Sequence, residues 1–130
     1  MIFGIGIDLA KVSRFNKWIE DKNLLEKYFN EKEMILTDGK QLNERRISSL
    51  SQHYAARFAA KEAFSKALGT GISGFKLKDV YIQNEESGKP CLVLENSARE
   101  ILDKMCPNAK VFVSLSHEKE FAIAQVIIEI

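Results

Sequence analysis

The chain of 130 residues is poor in the residues that most often announce a chemistry: it has two cysteines, two histidines and two prolines. Cys91 and Cys106 form no zinc-ligand pattern and read as two free thiols. His53 has no second ligand type at four-residue spacing, so local packing is its expected role. Charge of one sign is lacking as well. Nineteen basic against 18 acidic residues leave a net +1, which removes any global pull toward nucleic acid, so an anion site must be built locally. No apolar run reaches about 18 residues and no cleavable signal is evident, which makes a cytoplasmic protein the expectation. Both common nucleotide fingerprints are missing. Gly4-Ile5-Gly6 is not followed by the third glycine of a dinucleotide turn, and Gly69-Thr70-Gly71 lacks the Lys-Ser or Lys-Thr of a P-loop. The length suits one domain over 1–130, with a real core but no room for a dinucleotide domain plus a substrate domain.

What is present centres on Ala55–Gly71, AARFAAKEAFSKALGTG, a run of good helix formers that stops at glycine. Stepping by three and four, Ile47, Leu50, Tyr54, Phe58 and Leu68 supply a buried side. The helix extends back to about Gln41, with a break expected near Ser48–Ser51. Ahead of it, Ile2–Leu9 reads as a strand that Asp8 closes, with Gly4, Gly6 and Asp8 on one face because side chains alternate with period two. The glycines permit close approach of another element; Asp8 is either a site carboxylate or the cap of the next helix. Lys11–Lys22 spaces Val12, Phe15, Trp18 and Ile19 as an amphipathic helix, followed by short helical turns at 24–29 and 31–36 and a break at Thr37-Asp38-Gly39. Beyond residue 74 the period changes. Leu77–Gln83 and Cys91–Leu94 read as a hairpin, Ser97 with Glu100 as the capping box of a helix through Met105, and Val111–Ser116 and Phe121–Ile130 as strands, the last apolar in both phases and therefore central or covered on both sides. The fold class is α+β, an antiparallel or mixed sheet of about five strands wrapped around a long helix.

Two carboxylates stand out: Asp8 on a strand and Glu62 inside the helix, the latter four residues before Lys66 and close to Arg57 and Lys61. Glu62 and Lys66 are either a helix-stabilising pair, worth about 0.2–0.5 kcal/mol, or part of a metal and phosphate site. Carboxylate oxygens suit Mg²⁺, which keeps several waters and is commonly completed by substrate phosphates, while Lys and Arg neutralise the remaining phosphate charge.

Four motifs in order, GIGIDL at 4–9 with Arg14, RFAAKEAFSKALGTG at 57–71, GKP at 88–90 and VSLSHEKEFAIAQVIIE at 113–129, resemble the holo-acyl-carrier-protein synthases, the small bacterial type of 4'-phosphopantetheinyl transferase. The resemblance spans the chain. It implies an enzyme that moves the 4'-phosphopantetheine arm of coenzyme A to a serine of apo-acyl carrier protein and releases adenosine 3',5'-bisphosphate. It further implies Asp8 and Glu62 as Mg²⁺ ligands, Lys66 as a phosphate-holding catalytic residue, and Lys61, Arg57, Gly69 and Gly71 as further candidates for coenzyme A binding. A homotrimer with sites between subunits would let Ser116 and His117 reach the nucleotide bound mainly to the next chain. Arg14, and more weakly Arg45, would face the acidic carrier protein. Leu68 and Asn30 depart from the family's phenylalanine and threonine. The competing reading is a carrier-protein binding module that keeps the fold without the transfer.

Overall fold

The computed structural model describes residues 1–37 and 41–130; the break expected at Thr37-Asp38-Gly39 lies, from Asp38 on, outside them. Among the described residues, five strands, β1 (Ile2–Lys11), β2 (Val80–Asn84), β3 (Pro90–Leu94), β4 (Lys110–His117) and β5 (Phe121–Glu129), are arranged about helix α2 (Glu44–Leu68), with α1 (Lys22–Tyr28) and α3 (Asn96–Met105) beside it. All pairings are antiparallel. The strands divide into a three-stranded sheet of order β1-β5-β4 and the hairpin β2-β3, so the expected α+β architecture is realised as two sheets around one helix.

Helix α2 runs 25 residues without the break anticipated near Ser48–Ser51. The Asn43 side chain caps its start by accepting from the Arg46 N–H at 2.8 Å, and Gly69 ends it at φ +83°, donating its N–H to the Ser65 and Lys66 carbonyls. Ser51 is buried rather than helix-breaking, because its hydroxyl donates to Asn16 Oδ1 at 2.7 Å. Alanine dominates the buried faces, and the sheet answers with glycine. A Cβ built on Gly6 would lie 1.8 Å from the Ala63 carbonyl oxygen, and one on Gly4 would lie 1.9 Å from that of Ala67. The glycine face of β1 is therefore the seat of α2.

Several expected elements change. Strand β1 continues to Lys11, and the helix anticipated over Lys11–Lys22 is replaced by two 3-10 turns, Val12–Phe15 and Trp18–Glu20. Phe15 and Trp18 still reach the core, clustering with Phe58 and Phe29 at ring separations of 4.9–6.4 Å. Residues 77–79 form a 3-10 turn before β2. Ser97 does not cap α3: its hydroxyl is committed to Asp79 Oδ2, and Glu95 occupies the N-cap position without a capping side-chain bond, its carboxylate accepting from the Tyr81 hydroxyl instead. Strand β5, expected to be central or covered on both sides, is the central strand of its sheet, and its faces alternate, with Ala122, Ala124, Val126 and Ile128 buried while Phe121 and Ile123 are exposed. Both cysteines are free.

Candidate active site

Asp8 does not end its strand or cap a helix; it sits within β1 opposite Ala124 of β5. Period two places it on the same face as Gly4 and Gly6, and the absent side chains at those two positions let α2 descend until its last turns meet the carboxylate. Lys66 completes the contact. Its ammonium donates to Asp8 Oδ1 at 3.1 Å and to the Ile7 carbonyl at 3.0 Å. Glu62 lies one helical turn earlier on the same face. Burial, then the nearby Asp8 charge, pushes the Glu62 carboxyl above its ordinary value, and Lys66 and Arg14 pull the other way. Two carboxylates brought together against their mutual repulsion form a place that a cation would stabilise.

Arg14 joins this group by an unexpected route. Its guanidinium lies over the Phe58 ring at 5.1 Å, with Phe15 and Trp18 at 5.6 and 5.8 Å, and Phe58 is one turn before Glu62 on α2. The aromatic cluster thus holds a cation on the Glu62 side of the helix. Gly69 and Gly71 follow α2 as exposed residues with positive φ, just past Lys66.

Lys61 is not brought to the Asp8 group. It is completely buried, and its ammonium donates to Glu33 Oε1 at 2.6 Å, to the Leu77 carbonyl at 3.2 Å and to the Val80 carbonyl. With its ammonium donors already engaged, it has no reach to a phosphate. Arg57 lies one turn earlier, along a cavity of about 330 Å³ lined by Lys32, Glu33, His53 and Ile82, Gln83 and Asn84. One Arg57 Nη donates to the His53 carbonyl at 3.3 Å, and its buried Nε has no partner among the described residues. His53 Nε2 is 2.6 Å from the Glu33 carbonyl oxygen, and burial is the main reason its pKa falls to about 4. Ser116 and His117 end β4, two strands from β1, where Ser116 pairs with Ile123 and His117 with Ala122. Arg45 is exposed in the first turn of α2, 17 residues from Glu62 and so about 25 Å along the helix.

The residue that sequence reasoning overlooked is Glu33. Asn30, three residues earlier, forms a capping box with it, and that Asn-x-x-Glu spacing was the available signal. The same carboxylate also receives Lys61 and the Ile82 N–H, contacts 28 and 49 residues away that no local pattern encodes.

Among the described residues no group of three or more His, Cys, Asp or Glu side chains is placed to hold a metal. A pair of carboxylates fits a hard cation whose other positions go to water and substrate oxygens. No described helix is long and apolar enough to cross a membrane.

Known proteins share this sequence pattern and fold. The model of the 4'-phosphopantetheinyl transferase superfamily matches residues 4–126. The chain is 46% identical over 129 residues to a holo-[acyl-carrier-protein] synthase of Treponema denticola, covering 99% of both, and 42% identical over 132 residues to that of Geobacter metallireducens, covering 99% of this chain and 98% of the relative. It resembles the crystal structure of a holo-(acyl-carrier-protein) synthase from Bacillus anthracis in complex with CoA (3',5'-ADP), at TM-score 0.76 and 37% identity over 99% of this chain and 97% of that one. Against the holo-ACP-synthase of Plasmodium yoelii the TM-score is 0.79 at 30% identity, over 98% and 94%. The chain belongs to the 4'-phosphopantetheinyl transferase superfamily, as a transferase of the holo-acyl-carrier-protein synthase type.

Proposed function

We propose that the chain acts as one domain that transfers phosphopantetheine from coenzyme A to a serine of apo-acyl carrier protein with Asp8 and Glu62 as Mg²⁺ ligands, releasing adenosine 3',5'-bisphosphate. The observation that carries this reading is the meeting of Asp8, from β1, with the Glu62–Lys66 turn of α2, where Lys66 reaches Asp8 at 3.1 Å. When bound, the metal supplies Lewis acidity at the pyrophosphate and charge neutralisation as the phosphoryl bond breaks. The protein residues do the rest. Asp8 and Glu62 would hold the cation, and Lys66 holds Asp8 while offering its remaining N–H donor to the phosphate oxygens. Removal of the proton from the attacking serine falls to water or to a nearby carboxylate such as Glu62. No side chain of the chain itself is needed as nucleophile.

Arg14 combines proximity to Glu62 with exposure, and so suits a contact with the acidic carrier protein at the moment its serine enters; Arg45 would act only as a remote docking charge. Arg57, with Lys32 beside it, offers positive charge to the nucleotide end of coenzyme A. The outer face of the three-stranded sheet exposes Ile5, Ile7, Leu9, Phe112 and Ile123, each between about a third and two thirds accessible. Such a contiguous apolar face supports a homotrimer that brings Ser116 and His117 to a neighbour's coenzyme A. A cytoplasmic location accords with two free thiols. The test is the mass of apo-acyl carrier protein after incubation with the protein, coenzyme A and Mg²⁺. A gain of one phosphopantetheine, abolished by chelator and by Glu62→Gln, is expected; a gain indifferent to both removes the metal role.

A further inference from the structure

We infer that the buried pair Lys61–Glu33 is a positioning device for the neighbouring carboxylate Glu62, fixing the rotation of α2 about its axis. Between Ala59 and Ala63 the helix carries alanine at every position except Lys61 and Glu62. Ala59, Ala60 and Ala63 are fully buried, yet a methyl group offers only a shallow ridge against turning. Lys61 is the one long side chain of that turn locked into its surroundings. Its ammonium is held by three acceptors on two separate segments: Glu33 from the 3-10 turn Glu31–Glu33, and the carbonyls of Leu77 and Val80 at the entry to β2.

Glu33 is in turn fixed by backbone, receiving the Asn30 N–H at 3.1 Å on Oε1 and the Ile82 N–H at 3.3 Å on Oε2. Phe29 closes the site, its ring centre 5.2 Å from the Lys61 nitrogen. Both side chains are inaccessible to solvent. Such a pair contributes less to stability than its Coulomb attraction suggests, because desolvation offsets much of the gain, whereas its directional bonds select one register. That selection matters to the adjacent residue. Turning α2 by about 10° displaces a carboxylate some 5–6 Å from the axis by about 1 Å, a shift of the size that costs about 10²-fold in an organised site.

The inference rests on the reading of Asp8 and Glu62 as cation ligands, and its test separates the two. The affinity of Mn²⁺ for the coenzyme A-loaded protein is measured by electron paramagnetic resonance, alongside coenzyme A affinity and thermal melting, for wild type, Glu62→Gln, Lys61→Met and Lys61→Met/Glu33→Met. Lys61→Met alone strands a buried carboxylate and is expected to lower the melting temperature by about 10 °C or more; the double variant removes the stranded charge but not the need of the backbone groups that the pair served, and is expected to recover part of it. The double variant is nevertheless expected to bind Mn²⁺ about tenfold more weakly. Coenzyme A affinity measured without metal should stay near wild type. A well-folded double variant with wild-type Mn²⁺ affinity overturns the positioning role, and so does loss of metal-free coenzyme A binding with Mn²⁺ affinity intact, which makes Lys61 a ligand contact. Mn²⁺ affinity unchanged in Glu62→Gln overturns the cation site itself, and with it this inference.

Discussion

Replacing Gly6 by alanine tests how the site is assembled, because the same close approach supports both the fold and the carboxylate pair. The new Cβ would lie 1.8 Å from the Ala63 carbonyl oxygen and 2.7 Å from the Ala67 nitrogen, both backbone atoms of α2 that no rotamer change can move. Real Cβ contacts essentially never fall below 3.0 Å, so the helix must retreat by about 1.2 Å at this point. Overpacking of a rigid contact costs up to about 3 kcal/mol, which for a chain of this size lowers the melting temperature by about 10 °C. The retreat begins next to Glu62, so the carboxylate withdraws from Asp8 by a similar distance and transfer is expected to fall by about 10²-fold. Thermal melting followed by circular dichroism, and transfer to apo-acyl carrier protein at saturating coenzyme A over a Mg²⁺ titration, read the two effects. A Gly6→Ala protein that melts within about 2 °C of wild type and retains full transfer would refute the claim that direct backbone packing sets the site.

Glu62→Gln is expected to abolish transfer while leaving the fold at least as stable at pH 7. Since the folded pKa of Glu62 is raised, its ionised form opposes folding once pH exceeds the unfolded value, and the neutral amide removes that cost; urea unfolding at pH 7 beside the transfer assay checks both parts. His53 acts in the opposite sense. Its pKa of about 4 lies below the ordinary value of 6.5, so the stability it contributes is intact above pH 6.5 and is lost as pH falls toward 4, by about 2–3 kcal/mol; the urea midpoint of His53→Gln should therefore vary less over that range than wild type. Lys66→Met removes a half-exposed ion pair with Asp8 and is expected to change stability by less than about 1 kcal/mol, yet to reduce transfer and Mg²⁺ affinity about 10- to 100-fold. Equal losses of stability and activity would mark Lys66 as structural.

The strand at the N-terminus, the alanine-rich helix and its glycine stop, the β2-β3 hairpin and the glycine face of β1 were legible in the sequence because each follows from local propensity or a period of two or 3.6. So were Asp8, Glu62 and Lys66 as candidates, since a strand face and a helix turn limit where a side chain can point. Local rules failed where tertiary packing overruled them. The apolar spacing of 12–19 fits a helix, but burying Phe15 and Trp18 against Phe58 while β1 continues to Lys11 is achieved by two 3-10 turns. Ser97 had a capping-box spacing, yet Asp79, 18 residues away, claims its hydroxyl. The sharpest division falls between Lys61 and Glu62. The sequence places both on one helix amid alanines and leaves Lys61 a candidate for coenzyme A binding, because its surroundings come from segments 16 to 28 residues distant. Only the folded chain turns one into a buried strut and the other toward Asp8, since the environment that decides a charge's role is assembled by non-local contacts.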